Sequence, residues 1–263
     1  MDKIKTIIHK EWSEVFKNRF VLFTVAFLPL LLTALPLGIL YATSSIESGD
    51  AVSSDIPAQF LQFCSEGLTG GECFQIYMVN QFLILFMMMP MMIPVTIAAY
   101  SIVGEKTTRS LEPLLATPIT TAELLTGKSL AAVIPAIAAT WAGFIIFAIG
   151  AAIIVDNPLV LKALLDPMWL IAVVIVGPLM ALMAVNASIM ISSRVTDPRV
   201  AEQLSMVVIV PVLALFFGQI SGLFIINSNI ILIIAVILIL VDILLVYLAV
   251  KVFQRENILT RWK

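Results

Sequence analysis

Long stretches of this chain carry no charge, among them 74–103, 129–155 and 203–241, of 30, 27 and 39 residues. A helix needs about 20 predominantly apolar residues to cross a bilayer. The first two stretches therefore predict one crossing each, and the third, divided by Asn227, Ser228 and Asn229, predicts two. Apolar runs at 20–42 and 167–193 complete six spans, at about 20–42, 76–103, 129–155, 167–193, 204–226 and 230–250. The expected fold class is an all-α integral membrane protein, a single transmembrane domain over residues 1–263. Pro29 and Pro36 are expected to kink the first span. The run holding Pro90 and Pro94 has to tilt, break or begin with a re-entrant piece.

The polar segments differ in kind. Residues 1–19 place Ile4, Ile7, Ile8, Trp12, Val15 and Phe16 at helical spacing, with Lys3, Lys5, Lys10, Glu14 and Lys17 mostly opposite. That is the pattern of an interfacial helix lying in the headgroup plane. Residues 42–73 are rich in Ser, Gly and acid and hold no Lys or Arg, as a water-exposed loop would. Residues 104–128 are dense in charge for a connector: Glu105, Lys106, Arg109, Glu112, Glu123 and Lys128, with Pro113, Pro118 and an apolar set at Leu111, Leu114 and Leu115. This reads as a short amphipathic helix offered to a partner. Thr120 and Glu123 have the spacing of a capping box that starts the third span's helix, and Lys128 is expected at the mouth of that span. A short loop, 156–166, holds the isolated Lys162.

Composition agrees: 61% of residues are hydrophobic and 12% charged, against roughly a quarter charged in soluble proteins. Placing alternate loops on opposite sides of the bilayer collects 14 of the 15 Lys and Arg on one side, leaving only Lys162 on the other. The positive-inside rule makes that side cytoplasmic. Both termini, the 104–128 stretch and the 192–203 loop are expected there, in a multi-pass protein of the cell membrane. The first span is too long for a signal-peptide core and no small-residue cleavage pattern follows it, so it reads as retained. Cys64 and Cys73 then lie outside, where a disulfide between them persists; two unpaired thiols in a flexible loop are the alternative.

Candidate chemistry is sparse. Gly127-Lys128-Ser129 looks like the end of a phosphate-binding loop, but Ala122 stands where the first Gly is required and no strand precedes it. The chain is therefore not expected to be an enzyme. A lone His9 removes most metal sites and nucleophile–base arrangements. The methionines at 87–92 suit a soft metal such as Cu(I). With no Cys or His in that span, helix packing is the favoured role. No cofactor bound by this chain and no nucleic acid are implied. Asp242 is the sole acid within a membrane run. It lies nine residues before Lys251, which at 1.5 Å per residue puts it roughly 13 Å from the cytosolic edge. Asn186 lies at a similar depth and is a candidate hydrogen-bond partner. The acid either serves a translocation route or a proton or cation site, or joins two helices in its neutral form.

Several motifs occur together in order: Lys10-Glu11 in a basic leader, Gly104-Glu105-Lys106 ending a span, Ser110-Leu111-Glu112-Pro113-Leu114-Leu115-Ala116-Thr117-Pro118, then Glu123-Leu124-Leu125-Thr126-Gly127-Lys128. On these the chain resembles a membrane subunit of a type-2 ABC exporter, over essentially its full length. The resemblance implies a permease that pairs with a second copy or a paralogous permease and with two separate ABC ATPase subunits, ATP and Mg residing on those subunits. It implies that residues 105–124, including Glu105, Lys106, Arg109, Leu111, Glu112, Leu114, Leu115 and Glu123, form a cytosolic coupling helix that docks on the ATPase, with 1–19 as an elbow helix. Two other readings compete: a non-transporting receptor or assembly factor, and a secondary transporter driven by an ion gradient through Asp242. The second lacks the internal repeats and multiple intramembrane charges usual for that class. Cargo, whether lipid, peptide, drug or sodium, is left open.

Overall fold

Backbone amides facing lipid have no water to bond, so each crossing must close its hydrogen bonds on itself as a helix. Helices are the only regular elements among the residues that the computed structural model describes, 2–17, 19–44, 68, 70–107 and 119–252. In chain order these are α1 (Asp2–Val15), α2 (Arg19–Ser44), α3 (Gly70–Phe86), α4 (Met89–Thr107), α5 (Thr121–Ile154), α6 (Pro158–Leu164), α7 (Pro167–Ile171), a π turn (Ala172–Val176), α8 (Gly177–Ser192), α9 (Pro198–Ser205), a 3-10 turn (Met206–Ile209), α10 (Val210–Ile220) and α11 (Ser228–Val252). Six segments are long and apolar enough to cross a membrane: Val25–Thr43, Gly70–Ala99, Thr121–Ile154, Pro158–Ser192, Arg199–Ile220 and Ser228–Lys251. The all-α architecture with six crossings is the one expected.

The prolines account for how the crossings are interrupted. Pro90 has no N–H to give to Phe86, so the second crossing breaks after α3. Met88 N–H instead donates to Leu85 O at 2.9 Å and Met91 N–H to Met88 O at 3.1 Å, a tighter turn from which α4 resumes. Pro178 has the same effect on the fourth crossing. Gly177 N–H reaches back five residues to Ala172 O, making the π turn. The carbonyl of Val173 released there accepts the Trp141 indole N–H at 3.2 Å. Pro211 interrupts the fifth crossing through the 3-10 turn.

The third crossing's helix begins at Thr121, eight residues before the apolar run does, at the capping box expected from Thr120 and Glu123. One boundary differs from the sequence expectation. The 156–166 loop is largely the helix α6, with Asn157 capping it and Asp166 capping α7. Asn157 also donates through Nδ2 to Glu72 at 2.6 Å, tying α6 to the first turn of α3.

The second crossing is the hub: 78% of its apolar window is buried, against 22–50% for the other five. Met87, Met89 and Met91 are buried in the main core with Phe86, Phe144 and Phe147, so the methionine run packs helices. Cys73, 3% exposed and part of the same core, is disulfide-bonded; Cys64 lies outside the described residues.

The C-terminal end of α10 is closed by a Schellman motif. Gly222 adopts φ 69°, Leu223 N–H donates to Gly218 O and Gly222 N–H to Gln219 O, both at 3.0 Å. A Cβ on Gly218 would lie 2.5 Å from the Phe224 ring. Gly222→Ala should cost about 1 kcal/mol from its left-handed backbone, and Gly218→Val should cost more by expelling Phe224; thermal unfolding in detergent should show both losses in that order.

Candidate functional site

The charged connector at 104–128 is reached from α4 and left through α5. Glu105 and Lys106 fall in the last turn of α4, and their side chains lie outside the described set. Arg109, Leu111, Glu112, Leu114 and Leu115 all fall within 108–118, outside the described residues, and the expected amphipathic helix with them. Glu123 is described. Its backbone N–H donates to Thr120 Oγ1 at 3.2 Å and its carboxylate accepts the Thr120 N–H at 2.8 Å, the reciprocal pair of a capping box. Two otherwise orphaned donors are thereby satisfied where α5 begins.

Beyond this cap, α5 is held by α1. Lys128, expected at the mouth of the third span, is buried against protein. It lies two turns inside α5 with its side chain 2% exposed, and its Nζ donates to Glu11 Oε1 at 2.8 Å, the Glu11 side chain being 4% exposed. Two further contacts bind the helices. The Trp12 indole donates to Ala131 O at 2.9 Å; that carbonyl is free because Pro135, four residues on, has no N–H. A Cβ on Gly127 would lie 2.8 Å from Ile7, so only glycine admits this approach. Lys3 and Glu123 add an exposed pair at 3.6 Å, worth little by itself.

α1 is thus amphipathic in two directions. Ile7 and Glu11 face α5 and are buried, Phe16 is 48% exposed beside Trp12, and Lys5, His9 and Ser13 are exposed. The expected headgroup-plane helix is therefore docked on protein along one edge. The sequence carried the signal: a glutamate one turn after Ile7 on an apolar stripe requires a buried partner.

The helix before the connector is braced elsewhere. Thr96 of α4 donates to Glu202 of α9 at 3.1 Å, and Ser192 of α8 donates to Ala99 O at 3.0 Å. The connector therefore runs between two helices that pack against each other, α4 tied in addition to α8 and α9 and α5 to α1.

The family model for ABC-2 family transporter proteins matches residues 5–235, a range that takes in α1, the connector and the first five crossings. The chain belongs to the ABC-2 transporter family. No curated protein sequence matches it. ABC-2 permeases are the membrane components of transporters whose family works with separate ABC ATPases. The described residues of this ABC-2 permease hold no group of three His, Cys, Asp or Glu able to bind a metal.

The intramembrane pair expected at Asp242 and Asn186 is not formed as a hydrogen bond. Both residues are buried, 8% and 5% exposed, on the packed helices α11 and α8. Both Asp242 carboxylate oxygens lack a hydrogen-bond partner, as does the Ser188 hydroxyl on α8.

Removing one member of the Lys128–Glu11 pair leaves a buried charge, so Glu11→Leu or Lys128→Met alone should cost about 3–5 kcal/mol. The double variant should recover most of that, because two apolar residues need no counter-charge. Thermal unfolding of the four proteins in detergent measures the coupling.

Proposed function

We propose that this ABC-2 permease is the transmembrane subunit of an ATP-driven exporter, moving a substrate out of the cytoplasm. Its partners are two ABC ATPase subunits, which carry ATP and Mg, and a second permease, either another copy or a paralogue. The chain spans the cytoplasmic membrane six times with both termini inside, and residues 104–128 are its coupling element. What supports this reading is the family match over residues 5–235 together with a charged connector that joins two mutually packed helices, α4 further tied to α8 and α9 and α5 to α1.

In this reading, Glu105, Lys106, Arg109, Glu112 and Glu123 supply charge for docking, and Leu111, Leu114 and Leu115 an apolar ridge that seats in the ATPase. Pro113 and Pro118 stiffen the connection. The Lys128–Glu11 pair makes α1 move with α5, so the force reaches the third crossing and the interfacial helix together.

Glu112→Ala combined with Leu115→Asp should leave the permease inserted while ATP-driven export by the reconstituted complex falls at least about tenfold, the loss of one well-seated contact. Normal export by that variant excludes the assignment. A single cysteine at Asp197 should label only from the cytoplasmic side, and one at Asp156 only from the outside; the reverse pattern inverts the topology.

A further inference from the structure

Two acids are buried among the described residues, Glu11 and Asp242, and they are answered differently. Glu11 meets Lys128 at 2.8 Å. Asp242 is 8% exposed, and neither of its carboxyl oxygens has a hydrogen-bond partner. An acid inside a bilayer needs a counter-charge or a proton, and the elements packed on α11 decide which of the two Asp242 has.

α11 packs on α8 and the π turn, and less extensively on α5 and α7. Neither α8, the π turn nor α7 contains a Lys, Arg, His, Asp or Glu. α5 contains Glu123 and Lys128, and that lysine is committed to Glu11. On α11 itself the other titratable side chains are Tyr247, 64% exposed, and Lys251. Lys251 is nine residues on, two and a half turns, which puts it roughly 13 Å away on the opposite side of the helix. What α8 offers is uncharged: Asn186 and the Ser188 hydroxyl, both buried, the hydroxyl unbonded.

The seam that Asp242 occupies is narrow. Ile231, Ala235, Leu238, Asp242 and Ala249 form a buried stripe along α11, while Ile239, Leu240, Ile243 and Leu244 beside it are 44–63% exposed. Leu238 belongs to the main core and Ala249 to a second cluster with Val185 and Ile189, so Asp242 lies between the two along the helix. It is the one polar member of the stripe.

We propose that Asp242 is a proton-binding site that latches the sixth crossing to the fourth. With the proton on one carboxyl oxygen the side chain is a small neutral group against which α8 packs. A carboxylate in the same place has no cation to meet, so giving up the proton parts the two helices and admits the water that takes it. A metal ion is the poorer occupant, because hard cations take about six oxygen ligands and the described residues hold no group of three His, Cys, Asp or Glu able to bind one. The latch is independent of the connector and of any ATPase.

The test is infrared spectroscopy of the full chain in phosphatidylcholine vesicles, titrated from about pH 6 to about pH 10, where exposed carboxylates stay ionised throughout. At neutral pH the wild type should show the carbonyl stretch of a single protonated carboxyl, shifted in heavy water and missing from Asp242→Asn, whose amide matches the neutral acid in shape. The band should bleach toward the alkaline end. Nitroxide labels at Arg194→Cys and Val250→Cys, both exposed near the cation-bearing ends of α8 and α11, should then move apart by about 3 Å or more, the width of one admitted water. In Asp242→Asn the same labels should keep their separation at every pH. Carbon-13 at the aspartate carboxyls of the wild type assigns the band even where that variant fails to assemble. An Asp242 carboxyl already ionised at neutral pH, including one that added sodium holds ionised, overturns the proposal. So does a band that persists to the alkaline end, or a label separation that stays constant while the band disappears.

Discussion

A lysine and a glutamate facing each other at 2.8 Å, both almost sealed from solvent, set the arrangement on the cation-bearing side. Neither charge is tolerable there alone, and together they add little net stability over an apolar pair. What they impose is register. α1 can rest on α5 only where Glu11 meets Lys128, and that alignment brings Trp12 to the carbonyl left free by Pro135 and Ile7 to the bare backbone of Gly127. One pairing thus commits an amphipathic helix to a fixed place on the third crossing, beside the connector.

The same satisfaction rule governs the bilayer interior. Each proline removes a donor and frees a carbonyl, and the structure answers in specific ways: a tight turn before Pro90, a π turn before Pro178, an indole on Ala131 and another on Val173. The few groups left unanswered, Ser188, Gln219 and Asp242 among the described residues, stand out because all around them the accounting closes.

Much of this was legible in the amino-acid order. Charge-free runs long enough to span, divided by Asn227 to Asn229, yield six crossings because length and apolarity alone decide insertion. The capping box at Thr120 and Glu123 was readable because its logic is local. The burial of Lys128 was not legible for the opposite reason: its partner is 117 residues away, and a terminal basic residue and a buried one look alike in one dimension. Asn186 and Asp242 share a depth, which helical rise supplies, but whether two side chains face each other depends on helix rotation, which rise does not contain. The connector's own conformation at 108–118 lies outside the described residues, so its contact residues rest on motif likeness.

The separation between Glu11 and Lys128 bears on biogenesis. At about 5–20 residues per second, the ribosome makes α1 roughly 6–23 s before the lysine that completes its seat. During that interval Glu11 is without the lysine it meets in the folded chain, and the amphipathic segment has the lipid headgroups to rest on. Synthesis of the third crossing is therefore the event that recruits the leader segment into the bundle, and quality control of the nascent chain has a natural checkpoint at that stage.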